Sequence, residues 1–121
     1  MMSEPALVIE RYEGPLPGQR VLRLKGPLTQ ATSSLFQRAV RGEGAETMIL
    51  DLTEVPYVDS VGLGLLVGAY VACQKTGRRL AFSGANARVF QLFQITKLEP
   101  FFLLFPTLEE AVEAFTNGGR A

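Results

Sequence analysis

The chain has 121 residues, 47% of them hydrophobic, a size and composition suited to one soluble globular domain with its own core. Lys plus Arg number 12 and Asp plus Glu number 12, so the formal charge is zero and neither a nucleic-acid nor an anionic-membrane footprint is expected. There is no His and a single Cys, Cys73, which removes the commonest general base and metal ligand, makes triads and zinc sites unexpected, and rules out an internal disulfide.

The first residues, MMSEPALVIERYE, lack the basic-then-apolar order of a signal peptide. Leu7 to Tyr12 and Val21 to Lys25 read as strands; in the second, Leu22 and Leu24 alternate with Arg23 and Lys25 as a half-buried strand should. The link between them holds Gly14, Pro15, Pro17 and Gly18, a composition that joins two strands as an antiparallel hairpin. Gly26-Pro27-Leu28-Thr29 follows, then a helix with Leu35, Phe36, Ala39 and Val40 on one face, stopped by Gly42 and Gly44.

Thr47 to Leu52 reads as a buried strand, and after a short loop Asp59 and Ser60 are residues that favour helix N-caps. Leu63, Leu66, Val67, Tyr70 and Val71 then fall at i, i+3, i+4, i+7 and i+8, predicting one apolar stripe with Ser60 at the helix N-terminus. Gly62, Gly64 and Gly68 each cost such a helix about 1 kcal/mol against alanine. Two readings compete for them. In one, Gly64 and Gly68 let the helix lie close on its neighbours while Asp59 and Ser60 merely cap it. In the other, the small first turn leaves Ser60 open to a partner, with unpaired backbone N–H groups that can receive an anion.

Cys73 lies in this helix as a small hydrophobe and suits a reducing cytoplasm. The uncharged run from Val61 to Cys73 is too short to insert into a membrane, which takes about 20 residues. Leu80 to Ser83 is a further strand, Val89 to Phe93 the centre of a helix packing Phe90 and Phe93 inward, and Phe101 to Phe105 a last strand between Pro100 and Pro106, with a partner-binding patch as its alternative. Thr107 and Glu110 form a capping box for a final helix with Leu108, Ala111, Val112 and Phe115 on its apolar stripe. Residues 117–121 read as a disordered tail. Alternating strands and helices imply parallel strands with right-handed crossovers. Loops beyond the carboxyl ends of such strands carry function, which places Gly26 to Thr29, Thr53 to Ser60 and Ser83 to Asn86 on one rim, Ser83 and Asn86 there doing no more than cap and connect unless a partner touches them.

The run YVDSVGLGLLVGAY, preceded by LDLTEV, resembles the STAS domain of bacterial anti-sigma-factor antagonists, and the likeness extends from Leu7 to about Phe115. The resemblance implies an α/β fold, a single domain over residues 3–116 with a mixed sheet of four to five strands and about four helices. It implies a cytoplasmic, non-enzymatic regulator of transcription without cofactor or metal, switched by phosphorylation of Ser60 in the Asp-Ser-x-Gly-Leu-Gly motif. The partner would be an anti-sigma factor that is also a serine kinase and brings its own ATP, docking against Asp59, Ser60, Val61, Gly62, Thr29 and Ser83. The chain departs from the family at Gly26-Pro27-Leu28-Thr29, where the resemblance implies Gly-x-Leu-Asp in many phosphorylated members, an acidic residue in place of Thr29. Two other classes stand beside this one: a STAS subunit held constitutively in a lipid-transport ATPase complex, and a small nucleotide-binding or hydrolytic protein, for which no P-loop or carboxylate pair is evident.

Overall fold

The computed structural model describes residues 6–118. Five strands form one mixed sheet in the spatial order of the chain: β1 (Val8–Glu13), β2 (Gln19–Lys25), β3 (Thr47–Glu54), β4 (Arg79–Ser83) and β5 (Leu104–Phe105). β1 runs antiparallel to β2, closing the expected hairpin, and β2 through β5 pair in parallel. Between them lie α1 (Ser33–Arg41), entered through a 3-10 turn at Gln30–Thr32, then α2 (Ser60–Lys75) and α3 (Ala87–Ile95). A last helix, α4 (Leu108–Glu113), runs into a π-helical turn at Ala114–Gly118.

Period-2 alternation along the strands sends side chains to two different cores. Leu22, Leu24, Met48, Leu50, Leu52, Leu80 and Phe82 face α1, α2 and α3, meeting Phe36, Leu66, Cys73, Val89 and Phe93. Val21, Ile49 and Ala81 point the other way and are covered by Ala111 and Phe115 from the chain's end. The result is a three-layer domain in which parallel strands deliver their following loops to one edge. Burial pushes the Cys73 thiol pKa up, in keeping with a small buried hydrophobe.

Four expectations need correction. The buried line of α2 is Gly62, Leu66, Ala69 and Cys73, with Val71 41% exposed, so the helix is turned from the predicted stripe. The reason is Gly62, which can approach the loop at Leu28 more closely than any larger residue and so sets the rotation. Gly64 and Gly68 are exposed, and a Cβ added to either would meet nothing within 4 Å, which removes the packing explanation for both. The segment Phe101 to Phe105 is a strand only at Leu104–Phe105. The amides of Phe101 and Phe102 bond back to Leu98 O, and this turn swings Phe102 inward against Phe82 and Phe93, at ring-centroid distances of 4.6 and 5.3 Å. Phe101 is left 62% exposed. Of the expected tail, Asn117 and Gly118 belong to the π-helical turn, and residues 119–121 lie outside the described ones.

Candidate functional site

The β3–α2 loop, the β2–α1 loop and the β4–α3 loop meet at one edge, as the strand order requires. Leu28 and Val58 form a parallel bridge, Leu28 N donates to Tyr57 O at 3.2 Å, and Asp59 N donates to Leu28 O at 3.2 Å. From the third loop, Asn86 Nδ2 reaches both Val55 O and Pro56 O at 3.3 Å while its Oδ1 caps α3 at Val89 N, 2.8 Å away. Gly26 N donates to Glu54 O at 3.0 Å. Arg88, in the first turn of α3, stands over the Tyr57 ring at 5.4 Å.

Asp59 is the N-cap of α2, with extended backbone and Oδ1 accepting from Gly62 N at 2.7 Å. Its Oδ2 accepts from Gln30 N at 3.2 Å, so one carboxylate caps a helix and ties two loops together. Ser60 is therefore not the cap. It is the first residue inside the helix, exposed, and its hydroxyl has no hydrogen-bond partner among the described residues. A backbone amide at this position lacks an intrahelical acceptor, so the helix end favours negative charge at the hydroxyl while the neighbouring Asp59 carboxylate opposes it.

The other expected site residues divide. Val61, 40% exposed, flanks Ser60 on the surface. Thr29 faces the Ser60 loop across the rim, half-buried, where its Oγ1 accepts from Ala31 N and its amide donates to Thr32 Oγ1 in a complete capping box. Gly62 and Ser83 are brought into the assembly but not to its surface. Gly62 is buried against Leu28, and Ser83, 1% exposed, donates to Asp51 Oδ1 at 3.0 Å. Sequence reading passed over Asp51, a fully buried carboxylate that also accepts from Thr53 Oγ1 at 2.7 Å and pairs with Arg23 Nε at 3.1 Å. A lone acid inside Met48-Ile49-Leu50-Asp51-Leu52 was the available signal, because a buried carboxylate in a central strand needs donors from its neighbours. Among the described residues no His, Cys, Asp and Glu group is placed to hold a metal ion, and no helix is long and apolar enough to cross a membrane.

The family description that matches is the STAS domain, over residues 7–111. The anti-sigma-B factor antagonist of Listeria monocytogenes is 39% identical over 72 residues, which cover 60% of this chain and 59% of that relative's length. The anti-sigma F factor antagonist of Paenibacillus polymyxa is 28% identical over 104 residues, covering 83% of this chain and 86% of the relative. A crystal structure described as a putative anti-sigma factor antagonist from Thermotoga maritima superposes with a TM-score of 0.82 at 22% identity, covering 90% of this chain and 95% of that one.

Proposed function

The chain belongs to the STAS domain family, and from that premise we propose that it is an anti-sigma-factor antagonist, a non-enzymatic protein that binds an anti-sigma factor and so releases a sigma factor. Phosphorylation of Ser60 by that partner, itself a serine kinase, ends the binding. The names of the relatives support the partner class. The observation that carries the switch is the Ser60 hydroxyl: exposed, unpartnered and at the first position of α2, while Asp59 alone does the capping.

A phosphate adds about −1.5 to −2 charges and three acceptor oxygens. At the N-terminus of α2 the macrodipole returns roughly 0.3 to 1 kcal/mol of that charge's cost. A partner pressed against Ser60 must instead strip water from an unpaired dianion, at several kcal/mol, and each 1.4 kcal/mol is about tenfold in affinity. Tight binding becomes weak without any change of fold.

The test is capture of the partner from the source cell, followed by intact-mass measurement and binding titrations of wild type, Ser60→Ala and Ser60→Asp. With the captured partner and ATP, wild type should gain one phosphate and release the partner; Ser60→Ala should bind and stay unmodified; Ser60→Asp should fold and bind weakly. Wild-type affinity in Ser60→Asp, with no phosphate reaching Ser60, would refute the switch and favour a constitutive subunit of a transport ATPase.

A further inference from the structure

α1 and α2 leave a groove of about 370 Å³ between them, and nothing in the switch at Ser60 accounts for it. Its floor is apolar, made by Phe36, Leu65 and Ala69, and one wall is Gly64 and Gly68 with Ala72. These three lie four residues apart, on a single face of α2. Gly64 and Gly68 are the glycines for which the domain's own packing has no use, since a Cβ at either meets open space. The same face is uncharged from Val61 to Ala72, with Val61 and Val71 each about two-fifths exposed.

Charge is distributed unevenly around the groove. Residues 33–42 and 60–78 contain Arg38, Arg41, Lys75 and Arg78 and not one acidic residue, in a chain whose formal net charge is zero. The next acid along the chain, Glu43, is buried and already paired with Arg11 and Arg20. Arg41 and Arg78 line the groove itself. Arg78 is held there by bonds from Nη1 to Glu43 O at 2.8 Å and from Nε to Thr76 Oγ1 at 3.0 Å, so its remaining N–H groups are presented in a fixed direction. Because α1 and α2 each link two parallel strands, their carboxyl ends lie together at the end of the groove away from Ser60.

We propose that the α1–α2 groove is a second docking surface, and that it takes an amphipathic helix of a protein partner with acidic residues at the end that meets Arg41 and Arg78. A concave floor with glycines at its wall admits a ridge of side chains and brings two helix backbones near, the helix-in-groove mode of recognition. A flat bilayer would instead need protruding aromatic or long apolar anchors, and the largest apolar groups lining the groove, Phe36 and Leu65, are buried and half-buried. The proposal does not rest on phosphorylation of Ser60, which lies at the other end of α2.

The test is a displayed library of amphipathic helices of about 18 residues, long enough to hold a helix once docked, in versions with acidic, neutral or basic ends. The library is selected against the whole protein, with binding to vesicles containing phosphatidylglycerol measured in parallel. Acidic helices should be enriched about tenfold over basic ones and should lose about tenfold in affinity with Arg41→Glu and with Gly68→Leu. Gly68→Leu puts a better helix former at an open position, so its melting temperature should not fall and lost binding is not lost folding. Absence of acidic enrichment, or binding untouched by both substitutions, overturns the proposal. So does vesicle binding that depends on Arg41 when no helix binds, which would assign the surface to a membrane.

Discussion

Three glycines within one stretch of seven residues look alike in sequence, and the structure assigns them opposite responses to the same substitution. A Cβ added at Gly62 would overlap the Leu28 carbonyl oxygen and stand 2.7 Å from the Leu28 carbonyl carbon and 3.0 Å from Val58 Cγ1. Two of those atoms are backbone, and that carbonyl accepts the Asp59 amide, so relief must come from moving the β2–α1 loop off the end of α2. Overpacking costs about 1–3 kcal/mol, and loosening one or two hydrogen bonds costs about 0.5–1.5 kcal/mol each. Against this, alanine gains about 1 kcal/mol of helix propensity. The expected net for Gly62→Ala is a loss of about 0.5–5 kcal/mol, whereas Gly64→Ala and Gly68→Ala, with nothing within 4 Å, should each gain up to about 1 kcal/mol. Urea unfolding of the three variants with a shared slope reads these differences directly. If Gly62→Ala unfolds at or above the wild-type midpoint, the close approach at Leu28 does not set the rotation of α2.

Thr29→Asp should leave stability within about 0.5 kcal/mol, since aspartate caps as well as threonine. If an acid here serves phosphoryl transfer or docking, it should raise the phosphorylation rate or the affinity for the captured partner, and unchanged kinetics would make the departure from the family neutral. At Glu43, burial pushes the carboxyl up, but bonds from the Ala45 amide and Arg11 and the charge of Arg20 more than offset it, and the pKa ends below its ordinary 4.5. A carboxyl depressed on folding stabilises above its unfolded pKa and loses that contribution as pH falls through the folded value. Glu43→Gln should therefore be less stable near neutrality by about 1.5–3 kcal/mol and decline less than wild type below pH 4.5, by urea unfolding across pH. Asp51→Ala strands the donors Ser83 and Thr53 and should cost about 3 kcal/mol, near the low end for a broken buried pair because Arg23 is one-third exposed and can be rehydrated. An effect below 1 kcal/mol in the same assay would show the network to be ornamental.

The sheet was legible because its strands keep period 2 or run uniformly apolar between Gly and Pro breaks, and the rim followed from parallel topology alone. Asp59 and Ser60 were legible as helix-start residues, but which of them caps was not. The two are chemically able to fill the same position, and the choice is made by Gln30, whose amide rewards a carboxylate at 59 from a loop 29 residues away. The same kind of distant contact decided α2, whose composition is apolar on nearly every side, so that periodicity fixed the helix without fixing its rotation. Ser83 looked like a rim residue by position and is instead drawn under the rim by Asp51, a partner 32 residues away. The short β5 had a different cause. Its aromatic run carries strand propensity throughout, yet Phe102 gains more by packing among Phe82, Phe93 and Tyr70 than by extending the ladder.

Assigning the cap to Asp59 and the free hydroxyl to Ser60 bears on how a modification here could act. Were Ser60 the cap, esterifying its hydroxyl would alter the very oxygen that holds Gly62 N, and the modification would act on the start of α2 itself. With Asp59 holding both Gly62 N and Gln30 N, the β2–α1 loop and the start of α2 stay tied whatever happens at Ser60. A phosphate on Ser60, next in the chain to the Asp59 carboxylate, would be repelled in water by roughly 1 kcal/mol, and the helix dipole returns about 0.3–1 kcal/mol of that. The folded state is thus nearly indifferent to the charge. A docked partner, which must desolvate it, is not, and the whole energetic consequence of the modification falls on the complex.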